Sequence, residues 1–260
     1  MALFRKPVTA KKALGQHFLK DLSIASQIAD SIPAMDSTRK VIEVGPGMGV
    51  LTNFLLEKNF DLKVVEIDRE SVKYLKANVP ALEGRIIEGD FLRMNLDQYL
   101  DHTGAVIGNF PYNISSQILF QCLNQKENVQ IIVGMFQKEV AERVAAKHGN
   151  KTYGILSVLL QTYFECEYLF TVHEHVFSPP PKVKSAVIRL TRKENVELPV
   201  PYPFLRNVVK TGFNQRRKTL RNALKPIIAG REFQHPFLDL RAEQLSIQDF
   251  ADLSVALIKL

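Results

Sequence analysis

The segment Asn109-Phe110-Pro111-Tyr112 combines residue types that could activate an aromatic amine. The N6 nitrogen of adenine is a poor nucleophile because its lone pair is delocalised into the ring, and acceptors that hold its hydrogens favour a pyramidal, reactive nitrogen. The side-chain oxygen of Asn109 and the backbone carbonyl of Pro111 could be those acceptors, while Tyr112 stacks on the base. This predicts in-line transfer from a sulfonium donor to adenine, which requires positioning but neither a metal nor a general base. The alternative is a simple turn beneath a core tyrosine.

A glycine-rich turn lies between a predicted strand and a predicted helix, in the order Glu43-Val44-Gly45-Pro46-Gly47-Met48-Gly49. Glycines such as Gly45 and Gly47 let the backbone turn sharply and approach a ligand closely. Nicotinamide-binding enzymes use the pattern G-x-G-x-x-G, whereas here the third glycine comes one residue early and Val50 takes its place. The turn therefore favours a nucleoside ligand and disfavours hydride transfer. Its alternative is a tight strand-to-helix connection without a ligand.

Two carboxylates lie at the ends of the next two predicted strands. Glu66 stands 21 residues after Gly45, with Ile67 beside it, and could accept hydrogen bonds from both ribose hydroxyls of a nucleoside. Asp90 follows Gly89 and could accept from an exocyclic adenine amine. The alternatives are a solvated glutamate and an aspartate that caps a helix or turn. With the glycine turn, the carboxylates predict an adenosine pocket, and the neighbouring amine-activating segment indicates S-adenosylmethionine as the cofactor.

The apolar periodicity places these motifs at the ends of successive strands. Short continuous apolar runs predict strands at Val41–Val44, Lys63–Ile67, Arg85–Ile87, Ala105–Ile107, Val129–Met135, Cys166–Val172 and Ser185–Leu190. Helices are predicted at Leu51–Lys58, Arg69–Asn78, Ser115–Leu123 and Lys138–Lys147. This order predicts an α/β fold with a doubly wound, Rossmann-like methyltransferase sheet and ligand sites beyond the carboxyl ends of its strands. The proline-rich stretch Pro199–Pro203 predicts a boundary between a methyltransferase domain at 1–198 and a small helical RNA-binding domain at 199–260.

The formal charge of +7 is concentrated in two segments. Residues 1–20 carry five Lys or Arg, residues 198–231 carry eight, and neither segment has an acidic residue, while the other 206 residues sum to −6. Clustered cations on an acidic body are typical of polyanion binding, because counterion release rewards local charge. The alternative is a solvated basic face. Taken with the enzyme motifs, the pattern predicts a basic helix from Arg216 to Lys225 and RNA contacts at Lys11, Lys12, Arg216, Arg217, Lys218 and Arg221.

Hydropathy and cysteine content bear on the cellular location of the protein and on its disulfides and metal sites. No apolar stretch approaches the roughly 20 residues that a membrane-spanning helix needs, and the first residues lack the apolar core of a secretory signal. Cys122 and Cys166 are too few for a disulfide framework and lack the paired spacing of a zinc site. We therefore expect a cytoplasmic protein without a membrane or metal partner, and we expect it to be a monomer. The alternative is an organelle-targeting leader, for which the motif that begins near Lys12 leaves little room.

Eight ordered segments together resemble the family of ribosomal small-subunit RNA adenine N6,N6-dimethyltransferases. The similarity extends from about Lys11 to about Asn222 and is carried by Lys12-x-Leu14-Gly15-Gln16-His17-Phe18-Leu19, the Glu43–Gly49 turn, Glu66-Ile67-Asp68, Gly89-Asp90, Asn109-Phe110-Pro111-Tyr112, Gln137-Lys138-Glu139-Val140, Phe177-Ser178-Pro179-Pro180-Pro181-Lys182-Val183 and Phe213-x-x-Arg216-Arg217-Lys218. The resemblance implies dimethylation of N6 on two adjacent adenines in the last hairpin loop of small-subunit RNA. It also implies a partner, the assembling 30S-type particle, and a role in small-subunit biogenesis.

The resemblance implies roles for individual residues as well. Phe177 is implied to stack on the flipped target base opposite Tyr112, because an enzyme that acts on a base must take it out of its stack; the alternative is a core anchor. His17 stands where many members have Asn, and Phe110 where bacterial members usually have Leu, departures that affect fine geometry rather than activity. Contacts with the cofactor are implied for His17, Leu19, Gly45, Glu66, Asp90 and Asn109.

Three other functions share part of these motifs. A large-subunit RNA adenine methyltransferase has similar glycine, glutamate and asparagine motifs, but the Phe177–Val183 segment and the basic C-terminal part disfavour it. A non-catalytic RNA-binding factor, either for ribosome assembly or for mitochondrial transcription, is disfavoured by the intact Asn109, Pro111 and Tyr112. A DNA adenine methyltransferase would also use an Asn-x-Pro-Tyr turn, but the remaining motifs do not fit it.

Overall fold

The computed structural model describes residues 8–34 and 39–260. The first seven residues of the predicted basic segment 1–20 lie outside the described residues. Two compact units can be distinguished: one comprises Met1–Ala141 and Glu167–Arg192, the other Glu142–Cys166 and Lys193–Leu260. The second unit thus includes residues 142–166, which precede the predicted boundary at 198/199. Which residues form the RNA-binding domain stays a prediction.

The strands confirm the predicted α/β class. In chain order they are β1 (Phe18–Leu19), β2 (Arg39–Val44), β3 (Phe60–Glu66), β4 (Ile86–Glu88), β5 (Ala105–Asn109), β6 (Ile131–Gln137), β7 (Phe164–Val172), β8 (Phe177–Ser178) and β9 (Ser185–Arg192). Within the described residues, seven of them form one sheet in the order β4-β3-β2-β5-β6-β9-β7. Strands β2 to β6 pair in parallel, and β9 is antiparallel to β6. All seven predicted strands are present, with ends that differ by a few residues.

The helices follow the predicted alternation and add two that were not predicted in the first 200 residues. They are α1 (Leu22–Asp30), α2 (Val50–Leu56), α3 (Arg69–Asn78), α4 (Ser115–Asn124), α5 (Lys138–Ala145), α6 (Ile155–Tyr163), α7 (Tyr202–Asn214), α8 (Leu220–Ala223), α9 (Lys225–Ile228) and α10 (Ile247–Leu257). The unpredicted helix α1 begins at Asp21, whose carboxylate accepts from the N–H groups of Ser23 at 2.9 Å and Ile24 at 3.2 Å, as an N-cap does. None of the helices in the described ranges is long and apolar enough to cross a membrane.

Continuous apolar runs explain why the central strands are buried. Residues 131–136 of β6 are all buried, as expected for a parallel strand covered on both faces. On one side, α1 and α2 bury Ala25, Ile28 and Leu55 completely. The parallel pairing of β2, β3, β4 and β5 places their carboxyl ends at one edge of the sheet.

The second unit contains the one predicted element that the structure contradicts. Instead of a continuous helix from Arg216 to Lys225, a turn at 215–218 separates α7 from α8. The Arg216 guanidinium donates to the backbone carbonyls of Lys151 and of Tyr153, the latter at 3.0 Å. These bonds within the unit hold Arg216 outside a helix, so the predicted helix from Arg216 to Lys225 is wrong over its first residues.

Candidate active site

A cavity of about 190 Å³ lies where β2, β3, β4 and β5 end. Most of the predicted cofactor and catalytic residues line it: His17, Gly45, Gly47, Glu66, Ile67, Asp90, Asn109, Pro111 and Tyr112. The fold thus brings together predicted site residues from four strand ends and from the N-terminal segment. Gln16 and Phe18 also line the cavity, although no role was predicted for them.

Glu66, the last residue of β3, is held rigidly at the cavity and is only 5% exposed. One carboxylate oxygen accepts from the N–H of Gly47 at 3.2 Å and the other from the N–H of Asp68 at 2.8 Å. Burial raises the pKa of Glu66, and these backbone hydrogen bonds oppose the rise. Each carboxylate oxygen can accept more than one hydrogen bond, so Glu66 keeps acceptor capacity for a ligand.

The glycine turn leaves space in front of its backbone. Gly45, Gly47 and Gly49 have φ angles of +69°, +57° and +83°. Residues other than glycine adopt such positive φ angles only with strain. A Cβ on Gly45 would meet only Pro111 Cδ at 3.9 Å, whereas one on Gly47 would lie 2.9 Å from the Phe18 ring. Gly45 thus forms an open cradle, and Gly47 allows the N-terminal segment to lie close to it.

Asp90 has one of the two roles that the sequence left open, the helix cap, and its position leaves the other possible. Its carboxylate accepts from the N–H of Leu92 at 3.0 Å and so caps the short helix Phe91–Arg93. It also lines the cavity and is half-buried. Because one oxygen of a carboxylate can cap while the other remains an acceptor, capping and ligand binding are compatible.

Asn109, the last residue of β5, has its side chain oriented by the N-terminal segment. Its amide nitrogen donates to the backbone carbonyl of His17 at 2.9 Å. This bond leaves the Asn109 Oδ1 atom as an acceptor at the cavity. The Pro111 carbonyl accepts from the N–H of Ile114 at 3.2 Å and retains a second lone pair. Two acceptors are therefore available on adjacent positions of the cavity wall.

Phe110, which departs from the family pattern, occupies a position made by two glycines. Its ring is 1% exposed and lies edge-on to Phe136, with 5.1 Å between ring centroids. Gly108 and Gly134 face each other in the β5–β6 ladder. A Cβ at Gly134 would lie 2.2 Å from the Phe110 ring, and one at Gly108 would lie 2.8 Å from it. The glycines provide the room that this large ring needs directly before Pro111.

Tyr112 and His17 form a second wall of the cavity. Their ring centroids are 5.2 Å apart, and the Tyr112 hydroxyl lies 2.5 Å from the Ser185 hydroxyl. Burial raises the pKa of Tyr112, and the hydrogen bond with Ser185 opposes the rise. His17 Nδ1 lies 2.8 Å from the Pro179 carbonyl, and since a carbonyl only accepts, Nδ1 carries the hydrogen.

The N-terminal segment is anchored to the start of α3. Lys11 Nζ lies 2.6 Å from the carboxylate of Asp68, and the Gln16 amide donates to the same carboxylate at 3.3 Å. Burial by itself raises the pKa of Asp68, but the bonds from Lys11 and Gln16 outweigh it and leave the pKa lowered. Lys11, a predicted RNA contact, thus forms an ion pair with Asp68, and its contact with RNA stays a prediction.

A two-residue ladder attaches the same segment to the end of the sheet domain. In it Phe18 pairs with Ser178 and Leu19 with Phe177. Phe177 is 1% exposed and belongs to the hydrophobic core, not to the residues that line the cavity. The structure thus places Phe177 as a core residue, and its stacking on a base stays a prediction. Leu19 lines a smaller neighbouring cavity together with Gly45 and Asn109.

Comparison with known proteins identifies the family. The family model for ribosomal RNA adenine dimethylase matches residues 8–259. The chain belongs to this family. It is 57% identical to the ribosomal RNA small subunit methyltransferase A of Cytophaga hutchinsonii over 249 residues, covering 95% of this chain and 96% of that protein. The protein of the same name from Parabacteroides distasonis is 56% identical over 250 residues, covering 95% and 94%.

Solved structures show the same dimethylase fold. A dimethyladenosine transferase from Plasmodium falciparum aligns with a TM-score of 0.74 and 25% identity, covering 94% of this chain and 98% of that one. The 23S rRNA methyltransferase ErmE aligns with a TM-score of 0.64 and 23% identity, covering 90% and 98%. The second similarity concerns the fold alone, whereas the relatives of high sequence identity carry the family assignment.

The cavity of this dimethylase fits S-adenosylmethionine, the cofactor of the family. Gly45 provides an open cradle, and a Cβ at Gly89 would have no neighbour within 4 Å, so both backbone segments can approach a ligand. Glu66 would hold the ribose hydroxyls, and Asp90 would accept from the adenine amine. Ile67, which is 57% exposed at the cavity, offers an apolar surface to the base. The two carboxylate acceptors and the apolar surface of Ile67 thus match an adenosine group.

Most of the predicted RNA contacts of the dimethylase lie in its second unit. Arg217 and Lys218 are exposed in the turn at 215–218. Arg221 donates from Nε at 3.0 Å and from Nη2 at 2.9 Å to one oxygen of Asp239. Lys12 is exposed in the first unit. RNA binding by these residues stays a prediction. The charged groups of Arg216 and Arg221 already bond to protein partners, so Arg217 and Lys218 are better placed to contact phosphates.

Removal of the Glu66 carboxylate should weaken cofactor binding while the dimethylase stays folded. We expect Glu66→Ala to lose about 1.5–3 kcal/mol of S-adenosylmethionine affinity, the range for hydrogen bonds that involve a charged group. Titration calorimetry measures the effect, with Glu57→Ala as a control because Glu57 is an exposed glutamate at the end of α2. Equal affinities in a folded Glu66→Ala protein would remove Glu66 from the cofactor site.

Proposed function

We propose that this chain transfers methyl groups from S-adenosylmethionine to N6 of two adjacent adenines in the 3′-terminal hairpin loop of small-subunit ribosomal RNA, giving N6,N6-dimethyladenine. The orientation of Asn109 is the main support. Its amide nitrogen is committed to the His17 carbonyl at 2.9 Å, which leaves its oxygen as an acceptor for an amine. The small-subunit names of relatives that are 56–57% identical support the choice of RNA.

In this mechanism the protein binds and orients, and the cofactor supplies an electrophilic methyl group on its sulfonium sulfur. Asn109 Oδ1 and the Pro111 carbonyl accept the hydrogens of N6, which localises the nitrogen lone pair for attack. Tyr112 supports the face of the target base. Because these groups have fixed positions, binding of the base aligns N6 with the methyl group. This alignment is the main requirement of an in-line displacement.

Mass spectrometry of nucleosides tests the proposal. Small-subunit RNA, both free and within particles that lack the modification, and large-subunit RNA in a parallel reaction are incubated with the protein and methyl-labelled cofactor. We expect label in N6,N6-dimethyladenine from the 3′-terminal loop. Label confined to large-subunit RNA would support the large-subunit alternative, and absence of label with retained RNA binding would support a non-catalytic assembly factor.

Cellular context forms part of the proposal. We infer action on an assembling 30S-type particle in the cytoplasm by a monomeric enzyme. The two basic segments support contact with a large polyanion, since clustered cations gain most from counterion release. Sedimentation of the protein alone and with particles distinguishes a free monomer from an oligomer and shows which particles it joins.

The turn at 215–218 should contribute phosphate contacts. We expect the double variant Arg217→Ala, Lys218→Ala to bind small-subunit RNA more weakly and to make the log–log salt slope shallower by roughly one unit, or slightly less, per lost contact. Affinity at several salt concentrations measures this, and cofactor affinity should not change. Arg221→Ala is the matched comparison, with a smaller effect because Asp239 already pairs with Arg221. If the double variant keeps the wild-type slope, the turn is only a solvated basic surface.

A further inference from the structure

A second groove, of about 460 Å³, adjoins the cavity. The two share Gly15, Gln16, His17 and Tyr112, but neither Asn109 nor Pro111 is among the described residues that line the groove. Its own lining combines three kinds of side chain: the prolines Pro179–Pro181 with Val183, the cations Lys12 and Lys182, and the amide of Gln137.

Gln137 connects this groove to the catalytic segment. It is the last residue of β6 and lies opposite Ser185 in the antiparallel ladder with β9. Ser185 in turn lies 2.5 Å, hydroxyl to hydroxyl, from Tyr112. Gln137 is half-buried, and within the described ranges its side chain forms no hydrogen bond. A half-buried amide at the edge of a groove therefore has both donor and acceptor capacity available.

The requirement for two adjacent adenines indicates what occupies the groove. The target adenine must bring N6 to Asn109 and Pro111, so its base lies at the end of the cavity that these residues line, beside the part assigned to the cofactor. The covalently attached neighbour then has to lie beside the shared wall of His17 and Tyr112. Proline rings and Val183, which is 44% exposed, offer apolar surface to the face of a base, and lysines suit the phosphates on either side.

We propose that the groove holds the nucleotide next to the target adenine and that Gln137 recognises adenine there. A glutamine amide can accept from N6 of adenine while it donates to N7, a bidentate pattern that other bases do not match. The proposal rests on the proposed function and adds a specificity residue to it. It has a further consequence: N6,N6-dimethyladenine has no N–H to donate, so an already modified neighbour loses half of the pattern.

The test compares neighbours in particles and counts the methyl groups on one fixed target adenine only. Two series of reconstituted small-subunit particles place the varied nucleotide on the 5′ or the 3′ side, as adenine or as purine ribonucleotide, which lacks the amine. We expect wild-type kcat/KM to fall about tenfold with the purine neighbour in at least one series. This factor lies within the range by which one bidentate hydrogen-bonded pair discriminates between bases. Gln137→Ala should reduce this ratio to about one, because it lowers the rate with adenine more than the rate with purine, which retains only the N7 acceptor.

Controls separate this inference from the proposed function. Lys184→Ala removes an exposed cation close to the groove in sequence but outside its lining, and should keep the wild-type ratio. Equal wild-type rates with adenine and purine in both series, or an unchanged ratio in Gln137→Ala, would overturn the role of Gln137 while methylation continues. Absence of methylation in every wild-type reaction would instead contradict the proposed function.

Discussion

Asn109→Ala is expected to slow methyl transfer by about a hundredfold or more at saturating cofactor and RNA, the loss that follows removal of one well-placed hydrogen-bonding group from a reacting centre. The reason is that the Asn109 oxygen matters most when N6 becomes pyramidal, so the variant loses stabilisation of the transition state more than affinity for RNA. Single-turnover transfer with labelled cofactor measures the rate. Cofactor affinity should fall as well, because Asn109 also holds the His17 carbonyl at 2.9 Å.

A control variant and a measurement of RNA affinity test whether the slower transfer is specific to Asn109. Asn53→Ala removes an exposed asparagine on α2 and should transfer methyl groups at the wild-type rate. RNA affinity of Asn109→Ala, measured without cofactor, should stay close to wild type. A wild-type single-turnover rate in Asn109→Ala would show that the segment does not activate the amine.

Glu43→Gln should change how stability depends on pH. Glu43 is 2% exposed and accepts from the Thr52 hydroxyl at 2.7 Å. Burial raises its pKa from 4.5 to about 8; the Thr52 bond opposes this rise and the nearby Glu66 adds to it. Between these two values the folded protein holds a proton that the unfolded chain has lost, so this contribution to stability is complete below pH 4.5 and is lost as pH rises through about 8.

A neutral isostere removes that dependence. Above the folded-state pKa, Glu43→Gln should be more stable than the wild type by on the order of a few kcal/mol, because each pKa unit corresponds to about 1.4 kcal/mol. Urea unfolding at a series of pH values gives the difference between the two free energies of unfolding. Glu57→Gln, at an exposed position, should stay parallel to the wild type. Parallel curves for Glu43→Gln would mean that Glu43 titrates normally in the folded protein.

Residues whose role depends on where a strand ends could be predicted from sequence. Gly45, Glu66, Asp90 and Asn109 each follow a short apolar run, and in a parallel sheet such runs determine both the strand and the edge at which its next residues lie. Their convergence on one cavity required no knowledge of distant contacts. The geometry of Asn109 did require it, because its orientation depends on a carbonyl in the N-terminal segment.

Long-range and local tertiary contacts explain what the sequence could not predict. Strands β1 and β8 have two residues each, too few for any periodicity, so the pairing of Leu19 with Phe177 left no signal. The run Arg216–Lys218 is compatible with a helix by propensity, yet bonds from Arg216 to the carbonyls of Lys151 and Tyr153 hold a turn. Gln137 belonged to a recognised motif, but only the groove indicates a role for it.

The β1–β8 ladder links the cavity to the order in which the chain is synthesised. His17 and Phe18 are translated early, but Ser178, which pairs with Phe18, and Pro179, whose carbonyl lies 2.8 Å from His17 Nδ1, emerge from the ribosome much later. The parallel strands β2 to β6 are all translated before that point. A nascent chain can therefore assemble the centre of its sheet while one wall of the cavity still lacks its partner. Cofactor binding by stalled nascent chains should accordingly begin only once Pro179 has left the exit tunnel.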